Sequence, residues 1–370
     1  MGSNELKLLY FIQLPPPVHG VSTVNEQVFG SELVNEGIGK TLLELKFSSG
    51  LSELRRNHPG KIIRFLRLSR TLKSALRRQR PDWVYFSFMP VGKGFLRDLL
   101  FIRIIRKSGT RIIFHLHNRG MQRNSGKLLR NRIYRYVFSG SVIIHLSEGL
   151  LDREIRPLNL PGIRTYAVAN GIPGVRYAKR AEEEEGLRLL FLSNFFPEKG
   201  IYDSLQIMSM LRHEHPGIRL RLVGDFMREG HRIKLMRSIA RMGLTEHVSV
   251  VGPRYGMEKE KEYRNADIFI FPSYFRQECF PLVLLEAMSC SLPIVSSNIG
   301  AIPEMIENGK EGILLNARDL HGFAKEIAAL SQNPEGRKRL GEAARKKFEM
   351  SYTLDHFERR IRNLMEDIRS

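Results

Sequence analysis

Apolar runs of strand length alternate along this chain with amphipathic stretches of helical length, and the alternation starts twice. LKLLYFIQL (residues 6–14) opens the first series, followed by strand-like runs at 41–47, 83–88, 111–116 and 142–146. A second series opens with LRLLFLS (187–193) and continues at 218–223, 248–251 and 268–272. A helix is expected at about 21–37, after the loop PPPVHG. Strands separated by helices pair in parallel, because the helix returns the chain to the starting edge of the sheet. Between the series GIPGVRYAKRAEEEEG (171–186) reads as a linker, with Gly, Pro and four consecutive glutamates. At 370 residues the chain exceeds one hydrophobic core. The expectation is an α/β protein of two Rossmann-like, doubly wound domains of similar size, 1–175 and 176–350. Such sheets bind ligands beyond the carboxyl ends of their strands, so a cleft between the domains is the expected site.

Several classes are set aside by composition. No run approaches ~18 apolar residues, so no transmembrane helix is expected. The opening MGSNELKLLYFIQLPPP has no basic start before its apolar run, and no signal peptide is expected. Cys279 and Cys290 give no disulfide framework, which suits the cytosol. The formal charge is +20 and unevenly placed. Residues 1–175 hold 28 Lys and Arg against 11 Asp and Glu, whereas the remainder holds 31 against 28. An asymmetry of this size suggests a polyanionic partner, either nucleic acid or an anionic membrane, against the plainer reading of a solvated basic surface.

Two glutamates bracket an apolar run in ECFPLVLLEAM (278–288). Pro281 suits a first helical position, where its missing N–H costs nothing. In the helix that follows, Glu286 shares a face with Leu282 and Val283, on the side that carries the helix N-terminus. That terminus suits phosphate, through free N–H groups and the positive dipole end. A carboxylate about one turn away can accept two bonds from vicinal hydroxyls such as those of a ribose. Spacing alone would equally fit two surface glutamates.

The wider segment FPSYFRQECFPLVLLEAMSCSLPIVSSNIGAIPEMIENGKEGILL resembles the signature of the retaining nucleotide-sugar glycosyltransferases of family 4, which have the GT-B fold. The resemblance extends over nearly the whole chain. It implies that Glu286 holds the donor ribose, that Glu278 holds hydroxyls of the donor sugar, and that Phe280, Pro281, Leu282 and Val283 line the donor site. In SNFFPEKG it implies a diphosphate role for Lys199, while Asn194 stands where the family has arginine. That departure halves the side-chain charge expected at the diphosphate and bears on donor type or tightness of binding. Gly20 in PPPVHG matches the first glycine-containing βα loop. In RIIFHLHNRG, His117 matches the family histidine beside the transferred sugar, with His115 on the same strand face as a rival. Arg254 in VGPRYG lies in the loop that neighbours the base. A C-terminal helix, 351–370, is expected to pack back toward the N-terminal domain. The resemblance further implies retention of anomeric configuration. The sequence has no Asp-x-Asp motif, so neither a metal nor another cofactor is expected.

By the same resemblance the N-terminal domain takes the acceptor, and it is the basic one. In KIIRFLRLSRTLKSALRRQR (61–80), Ile62, Phe65, Leu66, Leu72 and Leu76 read as the apolar stripe, with Lys61, Arg64, Arg67, Lys73, Arg77 and Arg78 mostly off it. FLRDLLFIRIIRK (95–107) adds a second basic and apolar stretch. Docking on the anionic inner face of a cell membrane is one expectation, with a glycan or lipid-linked acceptor of bacterial polysaccharide or lipopolysaccharide assembly. A nucleic-acid binder would explain the charge, but no helix-turn-helix, zinc-finger or RNP-like pattern is present, and no nucleic-acid partner is expected. A GT-B epimerase or phosphorylase is the other enzymatic alternative.

Overall fold

A computed structural model describes residues 5–46, 60–92, 94–125, 128–174, 186–226 and 228–369. The expected linker falls largely on 175–185, outside the described residues, as does residue 47 at the end of the second expected strand. The chain divides into two compact units, residues 1–170 with 355–370, and residues 171–354.

The first unit holds six strands: β1 (Leu6–Ile12), β2 (Ile38–Glu44), β3 (Trp83–Phe88), β4 (Arg111–Leu116), β5 (Val142–His145) and β6 (Arg164–Ala167). They pair in parallel in the order β2-β1-β3-β4-β5-β6. All six residues of β3 are buried, as parallel strands covered on both faces must be. Phe11, Phe86 and Phe114 are in register on one face. Helices Gly60–Gln79, Gly94–Lys107 and Leu128–Phe138 close over that face through Leu72, Leu76, Phe101, Ile105 and Phe138.

The stripe expected on the first of these helices needs correction. Phe65, Leu68, Leu72 and Leu76 turn toward the core, with Phe65 4.9 Å from Phe101. Ile62 and Leu66 stay 65% and 50% exposed. Ile62 lies in the first turn, before the Phe65–Phe101 contact begins, and Leu66 lies to one side of the stripe. The helix expected at 21–37 is also two pieces, Gly20–Gly30 and Glu32–Asn35. Ser31 leaves helical geometry between them, and its hydroxyl caps the second piece at Val34 N, 3.1 Å away.

The second unit repeats the plan with β7 (Arg188–Leu192), β8 (Arg219–Val223), β9 (Val248–Val251), β10 (Ile268–Phe271), β11 (Ile294–Ser297) and β12 (Gly312–Leu315). Their order is β12-β11-β10-β7-β8-β9, again parallel. Helix Leu354–Arg369 buries Phe357, Ile361, Leu364, Met365 and Ile368 along one stripe, and residues 355–370 belong to the first unit. Arg362 fastens it there by donating to the Glu36 carbonyl at 2.6 Å.

Candidate functional site

In the second sheet β8 follows β7 on one side and β11 follows β10 on the other. The loops leaving the adjacent strands β7 and β10 therefore diverge, which opens a crevice at their carboxyl ends. Both loops carry residues singled out from the sequence. After β7, SNFFPEKG closes in a tight turn, Pro197–Lys199, and Gly200 then caps helix Ile201–Leu211 in the left-handed region at φ +90°. A Cβ at Gly200 would lie 2.3 Å from the Pro272 carbonyl oxygen, so only glycine lets this turn press against the end of β10. Tyr274 N donates to Glu198 O at 2.9 Å and ties the two loops together.

Lys199 and Glu278 meet there. Lys199 Nζ donates to Glu278 Oε2 at 2.5 Å and stands 4.9 Å from the Phe275 ring centroid. Ser273 Oγ donates to the same oxygen at 3.3 Å. Glu278 is only 6% exposed, so its charge depends on this cation. The loop after β11 braces it from behind. Ala301 N donates to Cys279 O at 2.9 Å, and at Gly300 (φ +62°) a Cβ would lie 2.5 Å from the Glu278 carbonyl oxygen.

Glu286 is on helix Leu282–Ser289, whose N-terminus has no side-chain cap. Pro281 sits at the cap itself with extended ψ of 118°, one position before the helical start expected for it. Leu282 and Val283 form the first turn, half-buried, while Phe280 is buried against Tyr352 at 5.8 Å between ring centroids. Both Glu286 oxygens are engaged by one neighbouring helix, Gly256–Arg264. Lys259 Nζ donates to Oε1 at 2.5 Å and Tyr263 OH to Oε2 at 2.6 Å. Burial, then Glu286 itself, pushes the Tyr263 hydroxyl well above its ordinary range, which keeps it a donor. Sequence reasoning missed both residues, although their i, i+4 spacing places them on one helix face.

Residues 177–347 match the family model Glycosyl transferases group 1. This stretch is a group 1 glycosyl transferase domain. Among curated relatives, glycogen synthase of Mycobacterium tuberculosis is 28% identical over 206 residues, covering 53% of this chain and 47% of that protein. A D-inositol 3-phosphate glycosyltransferase of Segniliparus rotundus is 29% identical over 175 residues, 46% of this chain and 38% of that one. The chain thus matches less than half the length of these relatives. Over 98% of the chain the fold follows Anabaena Alr3699/HepE, solved with UDP and glucose and covered over 100% of its length, at TM-score 0.73 and 16% identity. Sucrose-phosphate synthase from Thermosynechococcus elongatus gives TM-score 0.75 at 15% identity, with 99% of each chain covered. The fold is therefore the two-domain GT-B fold of glycosyltransferases.

Within the group 1 domain, Asn194 immediately precedes the buried Phe195 in the loop after β7. Arg254 is engaged elsewhere, donating to Glu258 at 3.2 Å and standing 3.8 Å from Glu262. Its charge is compensated at helix Gly256–Arg264.

Outside the group 1 domain, the first unit gathers histidines at the carboxyl ends of its strands. His115 and His117 lie against each other with ring centroids 4.0 Å apart and planes tilted by 40°. His115 Nδ1 is hydrogen-bonded to the Tyr85 hydroxyl. His145 closes β5, and its Nδ1 accepts from Leu146 N at 2.9 Å. His19 caps the helix that Gly20 begins, its Nδ1 accepting from Ser22 N at 3.2 Å. The two histidines expected on one strand face are thus joined by two that were not singled out. Each of those ends a strand or follows one, a placement a register argument could have used. Among the described residues no group of three or more His, Cys, Asp or Glu side chains is placed to hold a metal ion.

Burial, followed by repulsion from His19, lowers His117 to about 3. Burial, then repulsion from His117 and Arg153, does the same to His145. Unfolded histidine titrates near ~6.5. Between these values the folded unit binds fewer protons than the unfolded chain, so this stabilisation is complete above about 6.5 and is lost as pH falls toward 3. The first unit should unfold at lower urea at pH 5 than at pH 7, followed by fluorescence of Trp83 in β3, the only tryptophan. An unchanged midpoint would contradict the buried, neutral histidines.

Proposed function

We propose that the chain is a retaining glycosyltransferase that moves a sugar from a nucleoside-diphosphate donor to a glycan or lipid-linked acceptor, as in bacterial surface polysaccharide or lipopolysaccharide assembly. The observation that carries this reading is the Lys199–Glu278 pair at the β7/β10 crevice of a group 1 domain. An ammonium has three donors, and with one given to Glu278 the others are available to diphosphate oxygens. The uncapped first turn at Leu282 and Val283 offers backbone N–H groups to the same phosphates. Both bonds to Glu278 fall on Oε2, which leaves Oε1 for a sugar hydroxyl. Glu286 keeps unused lone pairs for the ribose beyond those taken by Lys259 and Tyr263.

In this reading the anomeric C–O bond breaks with its electron pair going to the diphosphate. The acceptor oxygen bonds to the same face of the sugar, and its proton passes to the departing diphosphate. Lys199 and the helix N–H groups meet the developing charge, so the step is routed through no metal. Chelator-treated enzyme should keep its rate. In this reading the first unit takes the acceptor, and the buried His117, whose Nε2 has no hydrogen-bond partner among the described residues, is the group that bonds a sugar hydroxyl. Two buried thiols, Cys279 and Cys290, fit a reducing cytoplasm.

A thermal-shift screen of UDP, GDP, ADP and their sugars tests the reading. A true ligand at ~100 times its dissociation constant stabilises by about 2.7 kcal/mol. Silence toward every nucleoside diphosphate would overturn it. Glu286→Gln should weaken binding of the same nucleotide by about 10- to 100-fold, the loss of ~1.5–3 kcal/mol of charged hydrogen bonding. Tyr263→Phe should cost about fivefold, as one bond of ~1 kcal/mol. Unchanged nucleotide affinity in a folded Glu286→Gln protein would remove Glu286 from the site.

A further inference from the structure

Helices Gly60–Gln79, Gly94–Lys107 and Leu128–Phe138 lie side by side over one face of the first sheet. Together they carry 14 Lys and Arg and a single acid, Asp98. That acid does not reach solvent: it is fully buried and accepts from Arg97 at 2.7 Å and from Met89 N at 3.1 Å. The outer surface of these helices is also unusually apolar. Eight of the 17 large apolar side chains exposed among the described residues are on it, including Leu128 at 85% and Leu129 at 72%. A hollow of about 520 Å³ between the second and third helices is walled by Leu99, Ile133 and Tyr136 and bordered by Arg103, Lys107 and Arg132.

We infer that this face docks on an anionic lipid bilayer, with the hollow receiving a lipid phosphate. The inference is independent of glycosyl transfer. Cations alone would suit any polyanion, so the apolar side chains decide between partners. A bilayer offers phosphates to the guanidinium groups and, a few ångströms deeper, an apolar layer for Leu96, Leu100, Leu128 and Leu129. A single strand offers phosphates but stacks its bases on exposed aromatic rings, and a duplex offers phosphates with no apolar layer to cover these leucines. On this face Tyr136 is the one exposed aromatic among the described residues. Among those residues no helix is long and apolar enough to cross a membrane, so the contact is peripheral.

Co-sedimentation with vesicles of phosphatidylcholine, with and without phosphatidylglycerol, tests this on the full chain. Binding should require phosphatidylglycerol and weaken as salt shortens the screening length. Arg103→Gln/Lys107→Gln/Arg132→Gln should bind about a hundredfold more weakly, at roughly fivefold per cation. Leu96→Ser/Leu128→Ser/Leu129→Ser, altered at exposed positions, should lose at least about tenfold. Ile233→Ser/Met236→Ser, exposed on the second unit, should bind as wild type. Thermal unfolding and the nucleotide-induced shift, measured on each variant, separate failure of docking from failure of the fold or of the donor reading. Equal sedimentation with both vesicles, or wild-type binding by the leucine variant, would overturn the proposal. So would binding of a single-stranded RNA probe that the leucine substitutions leave unchanged, which would assign the face to nucleic acid.

Discussion

Lys199→Ala should reduce kcat by about 10²- to 10³-fold, with a smaller change in KM. One interaction made chiefly in the transition state is worth ~2.7–4 kcal/mol, and Lys199 is the cation the fold sets at the switch point. Asn194 occupies the position where a second cation would be expected, and Arg254 is compensated by Glu258 and Glu262. The loss should therefore fall on Lys199 and spare Arg254. One complication follows from burial. Removing the lysine strands the Glu278 carboxylate, and breaking a buried pair from one side costs up to ~3–5 kcal/mol of stability. Lys199→Ala/Glu278→Gln removes the stranded charge, so it should melt nearer the wild type and still turn over slowly. If the double variant regains stability and turns over as fast as Glu278→Gln alone, Lys199 acts through the fold alone. If Arg254→Ala shows the larger kinetic loss, the diphosphate charge resides there.

Gly200→Ala should destabilise the second unit by about 2–5 kcal/mol, combining ~1–2 kcal/mol of left-handed strain with ~1–3 kcal/mol of overpacking. For a unit of this size the unfolding midpoint would drop by roughly 5–15 °C. The added methyl meets the Pro272 carbonyl, so relief must move the turn that carries Lys199 away from β10. The nucleotide-induced shift should shrink in the same variant. Gly230→Ala, on a surface helix where the new Cβ meets nothing within 4 Å, is the control and should leave both measurements unchanged. A Gly200→Ala protein that melts and binds like wild type would mean that the turn is not held by close approach.

The expectation of two parallel α/β sheets rested on strands such as LKLLYFI and WVYFSF, whose apolar runs follow from burial on both faces. β6 and β12 went unnoticed for the opposite reason, since β6, at a sheet edge, has no fully buried residue and β12 has only one. β11 is buried throughout, but its two serines cut its apolar run short. The misassigned stripe on helix Gly60–Gln79 shows a related limit. Periodicity places Ile62 in line with the core, but a neighbour must be present to cover it, and the contact begins only at Phe65.

Glu278 and Glu286 stand out in the chain because acid within an apolar run needs a polar partner, and the helix between them follows from local pattern. Their partners come from elsewhere. Lys199 lies 79 residues before Glu278 and reaches it because β7 and β10 are neighbours in the sheet. Lys259 and Tyr263, 27 and 23 residues before Glu286, take its two oxygens because helix Gly256–Arg264 packs beside it. Element type is written in short-range periodicity, since each strand or helix repeats its own burial pattern. The neutralising partner of a buried charge is set by strand order and helix packing, which short-range periodicity does not encode.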